Sequence, residues 1–335
     1  MKGFRSAKYK VFAVVLGSLF LISCKSSNEE KKIDGVKIEK GAIIQNENGT
    51  YSNYDLQDGK YQKLESDELV SLYDSASGNY ITQKDGKFNS FYLGNIKELK
   101  DVSLDDIDLK LSPNGNYLSY FRKEEGILNL KIISLKDGTS VEFNSKVAIS
   151  DTYMDWIDED TIAYYGISDD RVNGIFKYNL KEKKEDIFYK LDGGVIQFIK
   201  NVSSGVICIQ ETLDNKKIVK LLDRNGEEKE FLPSTITFVS DIVTDGECYY
   251  FIGKVKDNNV SLYKVSKGDV KRKVFDFPVE IDENKGLDMD SEGNVLFIGK
   301  SIANSKCEEV YKLSKDGSIS KIKDSLDEYG FVKHN

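Results

Sequence analysis

A short unit, made of a turn and then a strand that is apolar on both faces, recurs along this chain and limits the folds it can adopt. The clearest copy is "SPNGNYLSYF", Ser112 to Phe121. Pro113 presets φ for the turn, Asn114 tolerates the strained position, and Gly115 can take positive φ. The strand after this turn carries apolar residues on both faces, so neighbouring structure must cover both.

The same unit begins at seven places. The starting residues are Gly41, Gly78, Gly115, Asp160, Gly205, Gly246 and Gly293, separated by 37, 37, 45, 45, 41 and 47 residues. Self-similarity at a period near 40 residues is typical of repeat folds. A β-helix would repeat at a much shorter period, and a pair of β-sandwiches, which has equal strand content, needs no regular unit.

A looser strand with a lysine between apolar neighbours follows in the later units, and a further turn comes after it. The lysines are Lys131, Lys177, Lys220, Lys264 and Lys312, and the turns are Asp58-Gly59, Asp137-Gly138, Asn225-Gly226, Lys267-Gly268 and Asp316-Gly317. Each turn opens a fourth, more polar strand, such as "TSVEF" after Gly138. Four strands per unit, with the second covered on both faces, are what a β-propeller blade requires. We therefore predict an all-β propeller of about seven four-stranded blades, with six or eight as alternatives because residues 33–64 follow the pattern poorly.

One unit resembles a known repeat. The stretch "LKLSPNGNYLSYFRKEEGILNLKIISLKDG", Leu109 to Gly138, is similar to the WD40-like propeller repeat of the TolB type, although Asn114 stands where that family usually has aspartate. The resemblance covers residues 33–328 by period and is specific over 105–140. It implies a partner-binding scaffold.

The start of the chain has the layout of a secretory signal. The first ten residues carry four basic and no acidic side chains, and the apolar run "VFAVVLGSLFLIS" that follows is too short for a stable membrane span. The run ends in Leu21-Ile22-Ser23-Cys24, which resembles the bacterial lipobox, whose cysteine is diacylated before the peptide ahead of it is removed. This implies a signal peptide over 1–23, lipidation of Cys24, a flexible tether over 24–32 and a single propeller domain over 33–335. The expected location is the extracytoplasmic face of the cell membrane, held by two acyl chains. The alternatives are an ordinary signal peptide with a chance cysteine and an uncleaved anchor.

Charge and cysteine content exclude several classes of function. The formal net charge of −8 becomes −12 when the four basic side chains of residues 1–23 are removed, and such a surface repels nucleic acid. Cys208, Cys248 and Cys307 form no C-x-x-C pair, which argues against a disulfide framework or a zinc site. The single histidine, His334, is the penultimate residue, so no Ser-His-Asp arrangement can form in the body of the fold, and we expect that histidine to be solvated. Neither a cofactor nor a catalytic residue is predicted.

Four aspartates fall at related positions of the repeat. Asp155, Asp241 and Asp288 lie five residues before a starting residue, and Asp108 lies seven before. Inner strands line the central channel of a propeller, so these carboxylates, with Trp156 beside Asp155, are a candidate binding site at the channel mouth. In the alternative interpretation each aspartate bonds to the backbone of the next blade and locks the blades together, and the tryptophan packs between blades.

Two further patterns bear on the chemistry of this channel. Lys110 and Lys200 occupy the corresponding position in two other blades and can pair with the carboxylates. The stretch "DMDSEGN" begins like a calcium loop, with Asp288, Asp290 and Glu292 as weak candidate metal ligands. Its twelfth position is Gly299 instead of a bidentate glutamate, so a hydrogen-bonded turn is favoured and no metal is predicted.

These patterns predict a membrane-anchored, extracytoplasmic lipoprotein that acts as a non-enzymatic scaffold and binds a protein or peptide. The longer loops "YGISDDRVNG" and "ETLDNKK" are candidate contact segments. The alternative is a metal-dependent, calcium-type ligand binder or a hydrolase that uses a carboxylate-lined channel.

Overall fold

The computed structural model describes residues 34–231, 233–324 and 328–335, without the side chains of Glu230 and Phe231. All of them belong to one compact unit, residues 33–335. The predicted signal peptide and Cys24 lie outside the described residues. Within the described ranges, no helix is long and apolar enough to cross a membrane.

The strands form seven sheets, one for each blade, and each sheet runs from an inner strand outward. Blade 1 contains β1 (Ile43–Glu47), β2 (Thr50–Gln57) and β3 (Lys60–Lys63), and blade 2 contains β4 (Leu69–Tyr73), β5 (Tyr80–Lys84), β6 (Lys87–Tyr92) and β7 (Asn95–Glu98). Blade 3 contains β8 (Ile107–Leu111), β9 (Tyr117–Glu124) and β10 (Ile127–Ser134), with a 3₁₀ turn at Pro113–Gly115. Blade 4 contains β11 (Val147–Trp156), β12 (Thr161–Ser168), β13 (Asn173–Asn179) and β14 (Lys184–Lys190).

The remaining strands complete the ring. Blade 5 contains β15 (Val195–Val202), β16 (Gly205–Glu211), β17 (Lys217–Leu222) and β18 (Glu228–Phe231). Blade 6 contains β19 (Ile236–Thr244), β20 (Tyr249–Val255), β21 (Ser261–Ser266) and β22 (Asp269–Arg272). Blade 7 contains β23 (Glu280–Ile281), β24 (Leu287–Met289), β25 (Val295–Lys300), β26 (Glu309–Leu313) and β27 (Ile319–Asp324), of which β23 and β24 share the inner position. Two C-terminal strands follow, β28 (Tyr329–Phe331) and β29 (Lys333–His334).

The two ends of the described chain close the ring. The C-terminal strand β28 pairs antiparallel with β1 and supplies the inner strand of blade 1. Strand β29 then adds in parallel to β4 of blade 2. The prediction of seven blades is confirmed, and the six- and eight-bladed alternatives are wrong.

Each of the seven starting residues lies at the turn that leads into the second strand of a blade. At Gly115 the backbone has φ of 58°, which a residue without a Cβ adopts at little cost. The second strands are buried on both faces, as β12 shows: Tyr164 packs toward blade 3, whereas Ala163 and Tyr165 pack toward blade 5. The apolar core is therefore divided among the contacts between neighbouring blades.

Two rims of the ring follow from this strand order. The turns between inner and second strands, and those between third and outer strands, lie at one end, which we call the turn rim. The turns between second and third strands, and the links between blades, lie at the other end, which we call the loop rim. The first described residues lie at the turn rim, where Val36 donates its backbone N–H to the Tyr80 hydroxyl (3.2 Å) and Ile38 is buried.

Blade 3 departs from the predicted pattern. The stretch "TSVEF" was predicted to form its fourth strand, but it contributes only one isolated bridge, between Ile133 and Ser140. After Val141 the chain leaves the blade, and the Phe143 ring packs on Tyr178 of blade 4, with ring centroids 4.8 Å apart. The apolar Phe143 gains more contact between the blades than it would on an exposed outer strand.

Candidate functional site: the channel mouth

Three of the four predicted channel aspartates make the same pair of hydrogen bonds. Asp241 accepts the backbone N–H of Ile242 (2.8 Å) and, from the next blade, that of Leu287 (2.8 Å). Asp155 accepts the N–H of Trp156 (3.0 Å) and that of Asn201 in the next blade (2.7 Å). Each carboxylate therefore fastens an inner strand to its neighbour, as the blade-locking interpretation expects.

Asp288 makes the third copy of this contact and closes the ring. It accepts the N–H of Met289 (2.7 Å) and that of Gly41 in blade 1 (3.2 Å). Burial raises the pKa of Asp288 to about 7, the nearby Asp241 adds to this effect, and Lys200 opposes it. Unlike its two counterparts, this carboxylate makes no salt bridge to a cation among the described residues.

The two predicted lysines neutralise the other carboxylates. Lys200 of blade 5 lies 2.5 Å from an oxygen of Asp241 in blade 6. Lys110 of blade 3 lies 3.4 Å from Asp108 and 3.9 Å from Asp155, and donates to a backbone carbonyl of blade 4. Since each lysine reaches toward the following blade, these ion pairs extend the same inter-blade connection.

These residues line a cavity of about 710 Å³ that opens at the turn rim. Arg224, from the turn between the third and outer strands of blade 5, also lines it and donates to the carbonyl of Ile157 (3.0 Å) and the side-chain oxygen of Asn201 (2.6 Å). The mouth is therefore lined by charged groups of both signs, most of which already hold a partner.

The C-terminal tail occupies part of this mouth, which corrects the expectation of a solvated histidine. Strand β29 lies against β4, and Asn335 donates to the carbonyl of Leu111 in blade 3. The His334 ring packs edge-on against Tyr73, with centroids 5.6 Å apart, and its Nδ1 lies 3.1 Å from the Ser75 hydroxyl. Burial lowers the pKa of His334 to about 4, so the ring is neutral at physiological pH.

Trp156 is only 2 % exposed and lies between blades 3 and 4. Its indole N–H donates to the Ser119 hydroxyl (2.9 Å), and its ring stacks on Tyr117 with centroids 5.9 Å apart. Its polar and apolar parts therefore both have protein partners. This position matches the packing interpretation, and a contact with a ligand stays a prediction.

The three weak metal candidates are not arranged as ligands. Asp288 directs its carboxylate to Met289 and Gly41, whereas Asp290 accepts the N–H groups of Glu292 (3.0 Å) and Asn294 (2.8 Å) inside its own turn. No group of three or more His, Cys, Asp or Glu side chains in the described parts of the chain is placed to hold a metal ion. The stretch forms the hydrogen-bonded turn that the sequence favours.

A second surface lies on the loop rim, where the two predicted contact loops also lie, but sequence reasoning missed its largest apolar group. Among the described residues, the exposed large apolar side chains lie at or beside this rim, with the exceptions of Leu93, Ile96 and Ile187. One group sits where blades 6 and 7 meet: Phe275, Phe277, Val279 and Ile302, which are 65 %, 49 %, 48 % and 70 % exposed. We call this group the apolar patch.

The apolar patch is held together by backbone contacts. Val279 donates its N–H to the carbonyl of Lys300 (3.0 Å), which places the link between the blades beside the loop that carries Ile302. The Phe277 ring meets Tyr311 edge-on, with centroids 5.5 Å apart. The sequence signal was the apolar run "VFDFPVEI" in a link between blades, where polar residues are the rule.

Comparisons with known proteins extend the description of the fold. No family model and no curated protein matches the chain. An oligogalacturonate lyase from Vibrio parahaemolyticus is similar in structure, with 11% identity, a TM-score of 0.53, and coverage of 88% of this chain and 86% of the lyase. An acylaminoacyl peptidase from Pyrococcus horikoshii is 14% identical with a TM-score of 0.55, and the match covers 87% of this chain and 52% of the peptidase.

TolB from Acinetobacter baumannii is also similar, with 13% identity, a TM-score of 0.48, and coverage of 90% of this chain and 81% of TolB. Identities this low show the fold alone, and the named proteins include enzymes as well as TolB. Membership of the TolB family stays a prediction. What the geometry and the comparisons establish together is that this chain is a seven-bladed β-propeller.

Proposed function

We propose that this protein is a membrane-anchored lipoprotein whose propeller binds a protein partner through the loop rim, without catalysing a reaction. The observation that carries the proposal is the placement of exposed apolar side chains at that rim, most densely in the apolar patch. Exposed apolar groups that lie together are typical of protein interaction sites. Two of the four patch residues are aromatic, the residue class that anchors such interfaces.

The path of the chain supports this choice of rim. The described residues begin at the turn rim, where Val36 and Ile38 pack between blades 1 and 2. If Cys24 carries the lipid, the anchored end of the chain enters the propeller at that same rim. The loop rim is the opposite end of the ring and stays open to a partner.

The channel mouth is the weaker candidate for the contact. Asp155 and Asp241 each hold two backbone N–H groups and a nearby lysine, so a ligand would have to displace bonds that join the blades. A carboxylate-dependent hydrolase or calcium binder needs ligands free to turn toward a cation or substrate. Binding by Asp108, Asp155, Trp156, Asp241 and Asp288 remains testable through a charge-reversed variant of the four aspartates.

The experiment is chemical crosslinking of the full-length protein in its own membrane, followed by mass spectrometry of the crosslinked peptides. A variant with Phe275, Phe277 and Ile302 changed to serine removes most of the patch. Leu93→Ser with Ile187→Ser is the control, since those apolar side chains are also exposed and lie away from the patch. We expect one partner, crosslinked to the loop rim, to be lost in the patch variant and kept in the control.

Three results would contradict parts of this proposal. Equal crosslinking by the patch variant and the control would exclude the apolar patch. Loss of the partner only in the charge-reversed variant would move the contact to the channel mouth. Mass spectrometry that finds no acyl chains on Cys24 of the membrane-bound protein would exclude the lipid anchor.

A further inference from the structure

The outer edge of blade 3 is open along half of its length. In the six other blades an outer strand pairs with the third strand, whereas in blade 3 the corresponding chain segment pairs with β10 only near the turn rim. There the N–H of Ser134 donates to the carbonyl of Thr139 (2.9 Å), and the carbonyl of Ile132 accepts the N–H of Val141 (2.8 Å). Beyond Val141 the pairing stops.

The direction of the unpaired backbone groups follows from these two bonds. Along a strand, alternate residues direct both backbone polar groups to the same side. The backbone carbonyl of Ile132 and the backbone N–H of Ser134 point outward, away from β9. The backbone N–H and C=O groups of Leu128 and Leu130 therefore point outward as well. Throughout residues 34–231, 233–324 and 328–335, no hydrogen bond from another residue reaches these groups on the outer side.

The segment that would cover this edge is held elsewhere. Phe143 packs on Tyr164 and Tyr178 of blade 4, and Ser145 and Lys146 hydrogen-bond with Glu185 of the same blade. Covering the edge with residues 142–146 would require all of these contacts to break. The contacts of this segment with blade 4 therefore leave part of the β10 edge unpaired. We call this unpaired part, beside Ile127 to Lys131, the gap in blade 3.

The side chains beside the gap suit an added strand. Ile127 is 66 % exposed on one face of the blade, and Leu128 is half-buried on the other, beside the blade 3–4 core. Open sheet edges are usually protected by charge or by short length. Here Lys131 is the charged residue on this stretch, and its ammonium group is held 3.0 Å from Glu124 on β9.

We propose that blade 3 binds an extended segment of a partner protein, which continues the interrupted fourth strand antiparallel to β10. The occupant must be an extended peptide backbone, since only such a chain matches donors and acceptors at every second residue. Its side chains alternate, with apolar residues directed toward Leu128 and the core between blades 3 and 4. The contact spans about five residues, from Ile127 to Lys131, or about 17 Å.

The probe is a phage-displayed library of random eight-residue peptides, selected on the full-length protein, from which the enriched peptide is synthesised. We expect an alternating apolar sequence that slows amide hydrogen exchange at Leu128 and Leu130. N-methylation of the peptide amides in the register that faces the edge should weaken binding about tenfold or more, as for the loss of one or more hydrogen bonds, and methylation in the other register should not. This comparison leaves the protein unchanged, so it does not depend on the folding of a variant.

Two protein variants separate backbone from side-chain contacts. Leu128→Pro removes an outward N–H and should weaken the peptide about tenfold, whereas Leu128→Ala keeps that N–H and should change binding only a few-fold. The proposal is overturned if no peptide is enriched, if both methylation registers bind equally, if other amides are protected, or if the edge is occupied by a second copy in sedimentation. The test involves neither the anchor nor the apolar patch, so it can fail while the proposed function stands.

Discussion

The channel mouth is lined by charged side chains, whereas the loop rim carries exposed apolar ones. At the mouth, half-buried charges hold the inner strands of successive blades together, as Asp241 does by bonding Leu287 and Lys200. At the loop rim, apolar side chains such as Ile302, which is 70 % exposed, project into solvent. A conspicuous cluster of charges can therefore serve the ring itself, whereas exposed apolar groups mark the surface left for a partner. Changes at the mouth should therefore alter stability, and changes at the rim should lower binding.

The largest effect is expected at the edge of the mouth, for Trp156→Ala. This change removes a buried ring, its hydrogen bond to Ser119 and its stacking on Tyr117, and leaves a cavity between blades 3 and 4. We expect the free energy of unfolding to fall by about 3–5 kcal/mol, measured by urea denaturation. A loss below about 1 kcal/mol would show that the ring supports a ligand contact more than the core.

The second effect tests the bonds between blades directly. Asp241→Ala leaves the N–H of Leu287 without its acceptor and Lys200 without its counter-ion, and should cost about 2 kcal/mol in the same denaturation. Asp214→Ala is the matched control: that aspartate also pairs with a lysine, but it lies exposed on a loop, so its removal should cost less than about 0.5 kcal/mol. Equal losses in the two variants would contradict a locking role for the channel carboxylates.

Much of this architecture could be predicted from the sequence because it depends on local chemistry. The turn at Gly115 needs positive φ, and the strand after it needs cover on both faces, so the repeat and the blade follow. The spacing of Asp155, Asp241 and Asp288 from the starting residues placed them correctly on the channel. The sequence also predicted, as the alternative to ligand binding, that each aspartate bonds to the backbone of the next blade, because buried polar groups are usually satisfied within the protein.

Other features could not be predicted because they depend on where distant segments meet. Nothing local in "TSVEF" indicates that Phe143 finds better packing on blade 4 and leaves blade 3 incomplete. The position of His334 near the end of the sequence predicts a solvated side chain. Because β28 closes the ring, however, His334 lies in the channel beside Tyr73. The apolar patch could likewise not be predicted, because it forms only where the link around Val279 lies beside Lys300.

A third effect, which depends on pH, is expected for Asp288. Its folded-state pKa of about 7 lies above the ordinary aspartate pKa of 3.8, so the folded state keeps a proton that the unfolded state loses, and stability falls as pH rises from about 4 to 7. Asp288→Asn has no such proton and can still accept an N–H bond. We expect the variant to become more stable than the wild type across that range, by roughly 1–3 kcal/mol above pH 7, in thermal melts from pH 4 to 9.

A histidine that lines the same cavity makes the comparison with the wild type necessary. His334 has its pKa lowered to about 4, so its contribution has the opposite sign and is lost as pH falls from about 6.5 to 4. The two effects partly cancel in the wild type, and the difference between variant and wild type isolates Asp288. A difference that does not change with pH would mean that the carboxyl is ionised throughout.

The smallest effect on stability, close to zero, is expected at the loop rim. Ile302 is 70 % exposed in the apolar patch and Leu213 is 86 % exposed on the loop of blade 5, so neither side chain loses much buried area when Ile302→Ser and Leu213→Ser are combined. The free energy of unfolding should stay within about 0.5 kcal/mol of the wild type. The same variant should capture less of the crosslinked partner, because the partner and not the fold covers these groups. A variant that unfolds more easily but keeps its partner would reverse the assignment, and would give the loop rim the structural role that we assign to the channel mouth.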